Sequence, residues 1–315
     1  MANNTVSRLG QANEAGATDA LFLKVFSGEV LSSFNADTVM ADKTRVRNIT
    51  SGKSAQFPAM GRIGAEYHTP GAEITGSTVE HGEKVITIDD LLMSHSSIAN
   101  IDEAKNHYEV RSEYSTQMGA ALAKTFDRNL LSLAVKTARA AESGAVADQG
   151  AANSTNLGST TPTIQVLVDA IYAEASAMDD LFLPANDRFV VVSPTTYWGM
   201  VQNDKLINRD FNGSNGDYAG GMVMNVAGMK IVKSSNLVID HTANTVDFGT
   251  KYQVDASDTS ALIYQRGALG TVKLMELASE SEYSARRQST LMVSKMACGH
   301  GVVSPQGIRE LRAAV

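Results

Sequence analysis

The sequence predicts an α+β fold, and three observations carry the prediction. Residues 45–50 and 83–89 alternate polar with apolar side chains, the period-two pattern of half-exposed strands. They flank a middle punctuated by Gly52, Gly61, Gly64, Pro70, Gly71, Gly76 and Gly82. From Ile101 to about Glu142 there is no proline, and Tyr108, Tyr114, Met118, Leu122, Phe126, Leu130, Leu133 and Thr137 recur at spacings near three and four, as on one face of a helix. Beyond residue 160, helix and strand signals alternate at short intervals, as in a layered domain.

The elements follow in order. Residues 1–19 are small and polar and read as a mobile arm. The stretch ALFLKVFSGEVLSSF at 20–34 carries Leu21, Phe22, Val25, Phe26, Val30, Leu31 and Phe34 as a helical apolar stripe interrupted by Gly28. It suits either a core helix or an arm segment that docks on a neighbour, and composition does not decide between them. Residues 44–90 read as a long hairpin with few core-forming residues, marginal by itself in water. Its charges are segregated: Lys43, Arg45, Arg47, Lys53 and Arg62 on the first half, Glu73, Glu80, Glu83, Asp89 and Asp90 on the second.

Inside the hairpin, Gly52-Lys53-Ser54 repeats the last three letters of a phosphate-binding loop. That loop requires a glycine five positions earlier and a helix immediately after. Here the earlier position is Arg47, and Pro58 falls where the helix interior would lie, costing about 3 kcal/mol and a backbone donor. Ser51-Gly52 is better read as a turn between strands.

The run from 101 to 142 amounts to a helix on the order of 60 Å long at about 1.5 Å per residue. Asp102 is its expected N-cap and Ser143-Gly144 its expected stop. Such a helix outruns an ordinary domain and suggests a spine for other elements. After a small-residue linker, Thr161-Pro162 signals a helix over 163–178. Arg188–Val192 suits a central strand, Ser193-Pro194 opens a short helix, and strands are expected at 229–233 and 261–265. Residues 280–300 alternate like one long strand returning beside the spine.

Candidate chemistry is weak wherever it is sought. Asp89, Asp90, His95, Asp102, Glu103 and His107 lie close in sequence. However, Glu103 and His107 stand at i, i+4, whereas a bundle di-metal site needs Glu-x-x-His pairs from two helices. Asp102 and Glu103 are better explained as acids at a helix N-terminus. Cys298 and His300, two apart on a strand, share a face, but a catalytic pair also needs an orienting third group and a pocket. Asp210–Gly221 resembles a calcium loop with Asn215 at the glycine position and Gly221 in place of the final glutamate, which departs from the ligand pattern. No nucleophile elbow, zinc-binding His-Glu-x-x-His or dinucleotide fingerprint occurs. The expectation is no enzyme, no cofactor and no metal.

Composition agrees. Hydrophobic residues make up 43% and charged residues 19% of the chain, which leaves room for buried contacts between subunits. A net charge of −7 without a basic run argues against a protein that grips nucleic-acid phosphates. The single cysteine, Cys298, excludes an internal disulfide and fits a reducing compartment. The first twenty residues hold no apolar run of seven, so no secretory signal is expected, and no eighteen-residue apolar stretch implies a membrane span. A soluble protein made in a cytoplasm is the expectation.

Six stretches, ALFLKVFSGEVL (20–31), SGKSAQFPAMGR (51–62), HGEKVITIDDLL (81–92), NHYEVRSEYSTQMGAALA (106–123), GTVKLMEL (270–277) and MACGHGVVSP (296–305), resemble in the same order segments of the major capsid proteins of short-tailed phages. The resemblance covers nearly the whole chain. It implies the Hong Kong 97-type capsid fold: an N-terminal arm (1–43), an extended hairpin or E-loop (44–92), a peripheral domain with the spine helix (93–158 and 267–315) and an axial α/β domain (159–266). It further implies self-assembly into hexamers and pentamers of an icosahedral shell around double-stranded DNA held without sequence-specific recognition. The expected partners are a scaffolding protein and a portal, with no membrane, and the expected place is the virion, assembled in a bacterial cytoplasm. An encapsulin-like compartment is the alternative. Within such a shell, Arg45, Arg47, Lys53 and Arg62 are expected to meet Asp102, Glu103, Glu109 and Glu113 of a neighbouring spine.

Overall fold

The computed structural model describes residues 22–71, 73–99, 101, 110–146, 149–203, 216–217, 222–223, 225–240 and 249–314. The expected arm at 1–19, the N-cap Asp102 and most of the loop around 210–221 lie outside these residues.

The stripe at 20–34 becomes α1 (Phe22–Asp37), packed on α2 (Val110–Arg139) of its own chain. Val30 and Phe34 are buried between them. Gly119, inside the spine, permits the crossing: a Cβ there would stand 2.6 Å from the Val30 carbonyl oxygen and 2.8 Å from the Ser33 Cβ. Ser33 Oγ donates to the Thr116 carbonyl at 2.8 Å, and Ser115 Oγ donates to Glu29 Oε2 at 2.6 Å. After α1 the chain turns over the buried carboxylate of Asp127, which accepts from Thr38 Oγ1, Val39 N and Met40 N at 2.8, 2.7 and 3.2 Å. Between the two readings that composition left open, the fold selects the core helix.

The spine ends at Arg139, short of Ser143-Gly144. Ala141 adopts φ 47°, Ala141 N donates to Ala138 O and Glu142 N donates to Thr137 O. This is the Schellman arrangement with alanine in the position that glycine favours.

A four-stranded sheet supports α1 and the first half of α2. Its order is β1 (Arg45–Asn48), β12 (Leu269–Ser284), β13 (Ser289–Val302), β4 (Leu92–Ala99). Two sequence readings are corrected here. Residues 45–48 pair in parallel with β12 and not within the hairpin. The expected strand at 280–300 is broken at 285–288, where Gln288 takes φ 49° and its Nε2 donates to the Ala285 carbonyl. Polar alternation runs through both arms and hides the turn, because Ala-Arg-Arg-Gln carries no glycine or proline signal.

The hairpin itself is β2 (Ser54–Met60) against β3 (His81–Thr87), in register from Ser54↔Thr87 to Met60↔His81. Ala55, Phe57 and Ala59 are buried at period two, and Phe57 joins Ile86, Val272 and Val303 in a cluster. The expectation of a hairpin with too little core is therefore corrected for its base, which is rooted in its own chain. Gly270, Gly299 and Gly301 flatten the strands beneath it: a Cβ on Gly299 would lie 2.2 Å from the Thr87 carbonyl oxygen. Beyond the rung Gly61 N to Glu80 O, the described residues of 61–80 form no strand and are almost wholly exposed.

The second half of α2 lies on a six-stranded mixed sheet ordered β5 (Asn153–Asn156), β14 (Ile308–Arg312), β11 (Thr259–Gln265), β6 (Arg188–Val192), β10 (Met229–Lys233), β9 (Asn225–Val226), and a short β7 (Gly216–Asp217) pairs antiparallel with β8 (Met222–Val223). All five residues of β6 are buried. Phe189 and Val191 face Leu130, Leu131, Ala134 and Val135 of α2, while Val190 and Val192 face α3 (Ile164–Asp180) through Leu167, Ile171 and Met178. Thr163, not Thr161, is the N-cap of α3, and Ser193 caps α4 (Pro194–Val201) by accepting from Thr196 N at 3.2 Å. The strand Ile308–Arg312, grouped by sequence with 267–315, sits between β5 and β11 in this sheet.

Candidate assembly surface

The fold divides the charges singled out by sequence. Arg45 and Arg47 both lie over the Phe57 ring, their guanidinium carbons 5.5 and 5.9 Å from its centroid, and Arg47 also donates to the Gln56 carbonyl. These two arginines brace the hairpin base on their own chain. Lys53 is exposed in the turn before β2, its carbonyl accepting from Ile88 N at 2.9 Å. Arg62 reaches the end of α3, donating to the Leu181 carbonyl and lying 5.5 Å from the Phe182 ring centroid. Among the acids, Glu113 is exposed and accepts from Gln117 Nε2 at 2.8 Å. Asp102, Glu103 and Glu109 lie outside the described residues. Three of the four basic side chains thus have partners within their own chain, while all four remain exposed.

Past the hairpin, Asp89 anchors the returning strand. Lys251 Nζ pairs with its Oδ1 at 2.6 Å, the Tyr252 hydroxyl donates to its Oδ2, and its backbone N–H donates to the Cys298 carbonyl at 3.1 Å. The Tyr252 hydroxyl in turn accepts from His300 N at 3.4 Å. Thr271 Oγ1 and His300 Nδ1 are 3.1 Å apart, and Cys298 Sγ lies 3.8 Å from His300 Nε2. Burial, with the Asp89 charge, pushes the Cys298 thiol up to about 12. Burial, with Lys251 and Lys273, pushes the His300 imidazole down to about 3. A thiol kept protonated beside an imidazole kept neutral is packing, not a nucleophile and its base. Among the described residues no acidic, cysteine or histidine cluster fits a metal ion, and no helix is long and apolar enough to cross a membrane.

A second polar junction ties the spine to the six-stranded sheet. Arg139 donates through Nε to both oxygens of the fully buried Glu310 at 3.0 and 3.1 Å, and through a terminal nitrogen to Glu310 and Asp258. Ser154 and Thr259 hydroxyls complete the Glu310 carboxylate at 2.7 Å each. Sequence reasoning missed this junction and the Asp89 anchor, since their partners stand 171 and 162 residues apart with no spacing signal.

Among the described residues, large apolar side chains stand exposed on the segment 61–80, at Ile63, Tyr67 and Ile74, and in the turn after α3, at Phe182. Such surfaces suit contact with other chains, not a small-molecule pocket. The comparisons with known proteins agree. The Gp10A-like major capsid protein family matches residues 56–312. The major capsid protein of Escherichia phage T7 is 33% identical over 316 residues, covering 93% of this chain and 91% of its own. The solved capsid structure of cyanophage P-SCSP1u superposes with TM-score 0.78 at 41% identity over 88% of each chain. A virus-like particle from Pyrococcus furiosus shares only the fold, with TM-score 0.57 at 13% identity over 93% of this chain and 100% of its own. With the arm helix, hairpin, spine and two sheets in this order, the chain belongs to the Gp10A-like family of phage major capsid proteins and has the Hong Kong 97-type fold.

Proposed function

We propose that copies of this chain join as hexamers and pentamers into an icosahedral shell around the double-stranded DNA of a tailed phage, with a scaffolding protein and a portal as assembly partners in the bacterial cytoplasm. The observation that carries the reading is a hairpin rooted in its own core whose outer part, 61–80, extends exposed with Ile63, Tyr67 and Ile74 at 72, 104 and 77% exposure. Apolar side chains held that far from their own core stabilise nothing until another surface covers them. The net charge of −7 suits an inner wall that lets DNA pass without gripping its phosphates.

Electron microscopy of the expressed protein, with nuclease protection of purified particles, tests the proposal. Shells that protect DNA when assembled in the phage context support it. Particles that hold protein cargo and no nucleic acid favour the compartment alternative, against which the 41% identity to a cyanophage capsid already weighs. The charge pairing is proposed between Arg45, Arg47, Lys53 and Arg62 and the acidic start of a neighbour's spine, Asp102, Glu103, Glu109 and Glu113, with the exposed Lys53 and Glu113 as its test pair. Lys53→Glu is expected to raise the salt sensitivity of assembly, with Glu113→Lys restoring it. Unchanged salt dependence in both variants removes that pairing.

A further inference from the structure

The turn that follows α3 breaks three local rules at once. Phe182 occupies the left-handed position of a Schellman end, at φ 54°, with Phe182 N donating to Asp179 O at 2.8 Å and Leu183 N to Met178 O at 3.2 Å. A bulky aromatic is a poor occupant of that conformation, where glycine is favoured. The residue is 83% exposed. Asp179 and Asp180 close the helix, so two carboxylates stand at the negative end of its dipole.

Nothing about the turn is slack. Arg188, itself buried, holds it from beneath: Nε donates to Pro184 O at 3.0 Å, a terminal nitrogen donates to Leu183 O at 2.7 Å, and the same group pairs with Asp179 at 2.7 Å. Leu181 points the other way, toward Gly150. The scaffold is rigid, and what it presents is one aromatic ring with the Arg62 guanidinium over it. Strain kept at a well-determined position points to function, and aromatic and arginine side chains on a rigid support are the residues that anchor interfaces.

We propose that the Phe182 turn is a contact between copies of this chain, with the ring of each subunit covered by its neighbour in the shell. A second copy is the occupant for two reasons. In a capsid protein every chain is surrounded by identical chains at fixed geometry. The turn also continues, through Arg62, into the exposed segment 61–80 already assigned to inter-subunit contact. Its exposed carboxylates Asp180 and Asp187 complement the exposed basic side chains that the hairpin carries.

The inference rests on assembly into shells, and the experiment separates the two. In a Cys298→Ser background, Phe182→Cys is labelled with a maleimide before and after assembly. Labelling is expected to fall at least tenfold in shells. Shells that label at the free-subunit rate overturn the contact while leaving shell formation standing, whereas failure of the Cys298→Ser parent to form shells counts against the assembly reading. Phe182→Gly supplies a second readout with opposite signs: a higher unfolding midpoint of the isolated subunit, because the strain is relieved, and an assembly concentration threshold raised about tenfold. A Phe182→Gly chain that is less stable than the parent, or that assembles at the parent's threshold, overturns the proposal.

Discussion

His300 shows how one residue sets an acid limit. Its ring is buried against Phe126 with centroids 4.7 Å apart, beside Thr271, Cys298 and Tyr252, with Lys251, Lys273 and Asp89 as the nearby charges. Because its folded pKa of about 3 lies below the unfolded value of 6.5, the neutral ring's contribution is complete above pH 6.5. It is lost as pH falls toward 3, at about 1.4 kcal/mol per pH unit. Asp127 works in the opposite sense, since burial raises its pKa and protonation there favours the fold. Denaturant titrations of the isolated subunit should show His300→Gln with a shallower loss between pH 6.5 and 4.5 than the parent. An equal slope assigns the acid sensitivity elsewhere. Ala141, held at φ 47° at the end of the spine, gives a second expectation: Ala141→Gly should stabilise by about 0.5–1 kcal/mol, read as a higher unfolding midpoint.

At the scale of elements, the hairpin depends on glycines in strands that do not belong to it. Gly299 has the Thr87 carbonyl oxygen and the Ile88 Cα at 2.2 and 2.8 Å from where a Cβ would lie, and both are backbone. Gly299→Ala therefore has no flexible side chain to push aside. It should cost about 1–3 kcal/mol, the usual scale of overpacking, and make residues 54–87 more sensitive to protease without altering the helical circular dichroism. Protease resistance equal to the parent's would show that the strands can part at no cost. The same logic applies to Gly119, where closeness of α1, not helix breaking, explains the residue.

At the scale of the molecule, α2 packs along both sheets. Its first half is buried against β13 and α1, its second half against the six-stranded sheet, and Arg139 secures the far end to Glu310. Removing one member of a buried pair leaves the other uncompensated, so Arg139→Ala should destabilise by about 3–5 kcal/mol. It should also lower the yield of folded subunit, as measured by solubility and thermal unfolding. A midpoint within a degree of the parent's would show that hydrophobic packing alone holds the junction.

The sequence by itself determined the periodic elements. The proline-free spine, the apolar strand Arg188–Val192, the strands near 229–233 and 261–265 and the order of hairpin, spine and alternating helices and strands follow from hydrophobic period and punctuation, which are local properties. It also carried the family, because six ordered segments share their residues with capsid proteins. Tertiary structure alone decided which elements meet. It folded α1 back on its own spine, took residues 45–48 out of the hairpin, placed Ile308–Arg312 in the middle of the second sheet and turned Arg45, Arg47 and Arg62 toward their own chain. The physical reason is that contact between elements is settled by ladder hydrogen bonds, close glycine contacts and the nearest available ring or carbonyl, and none of these leaves a period in the sequence.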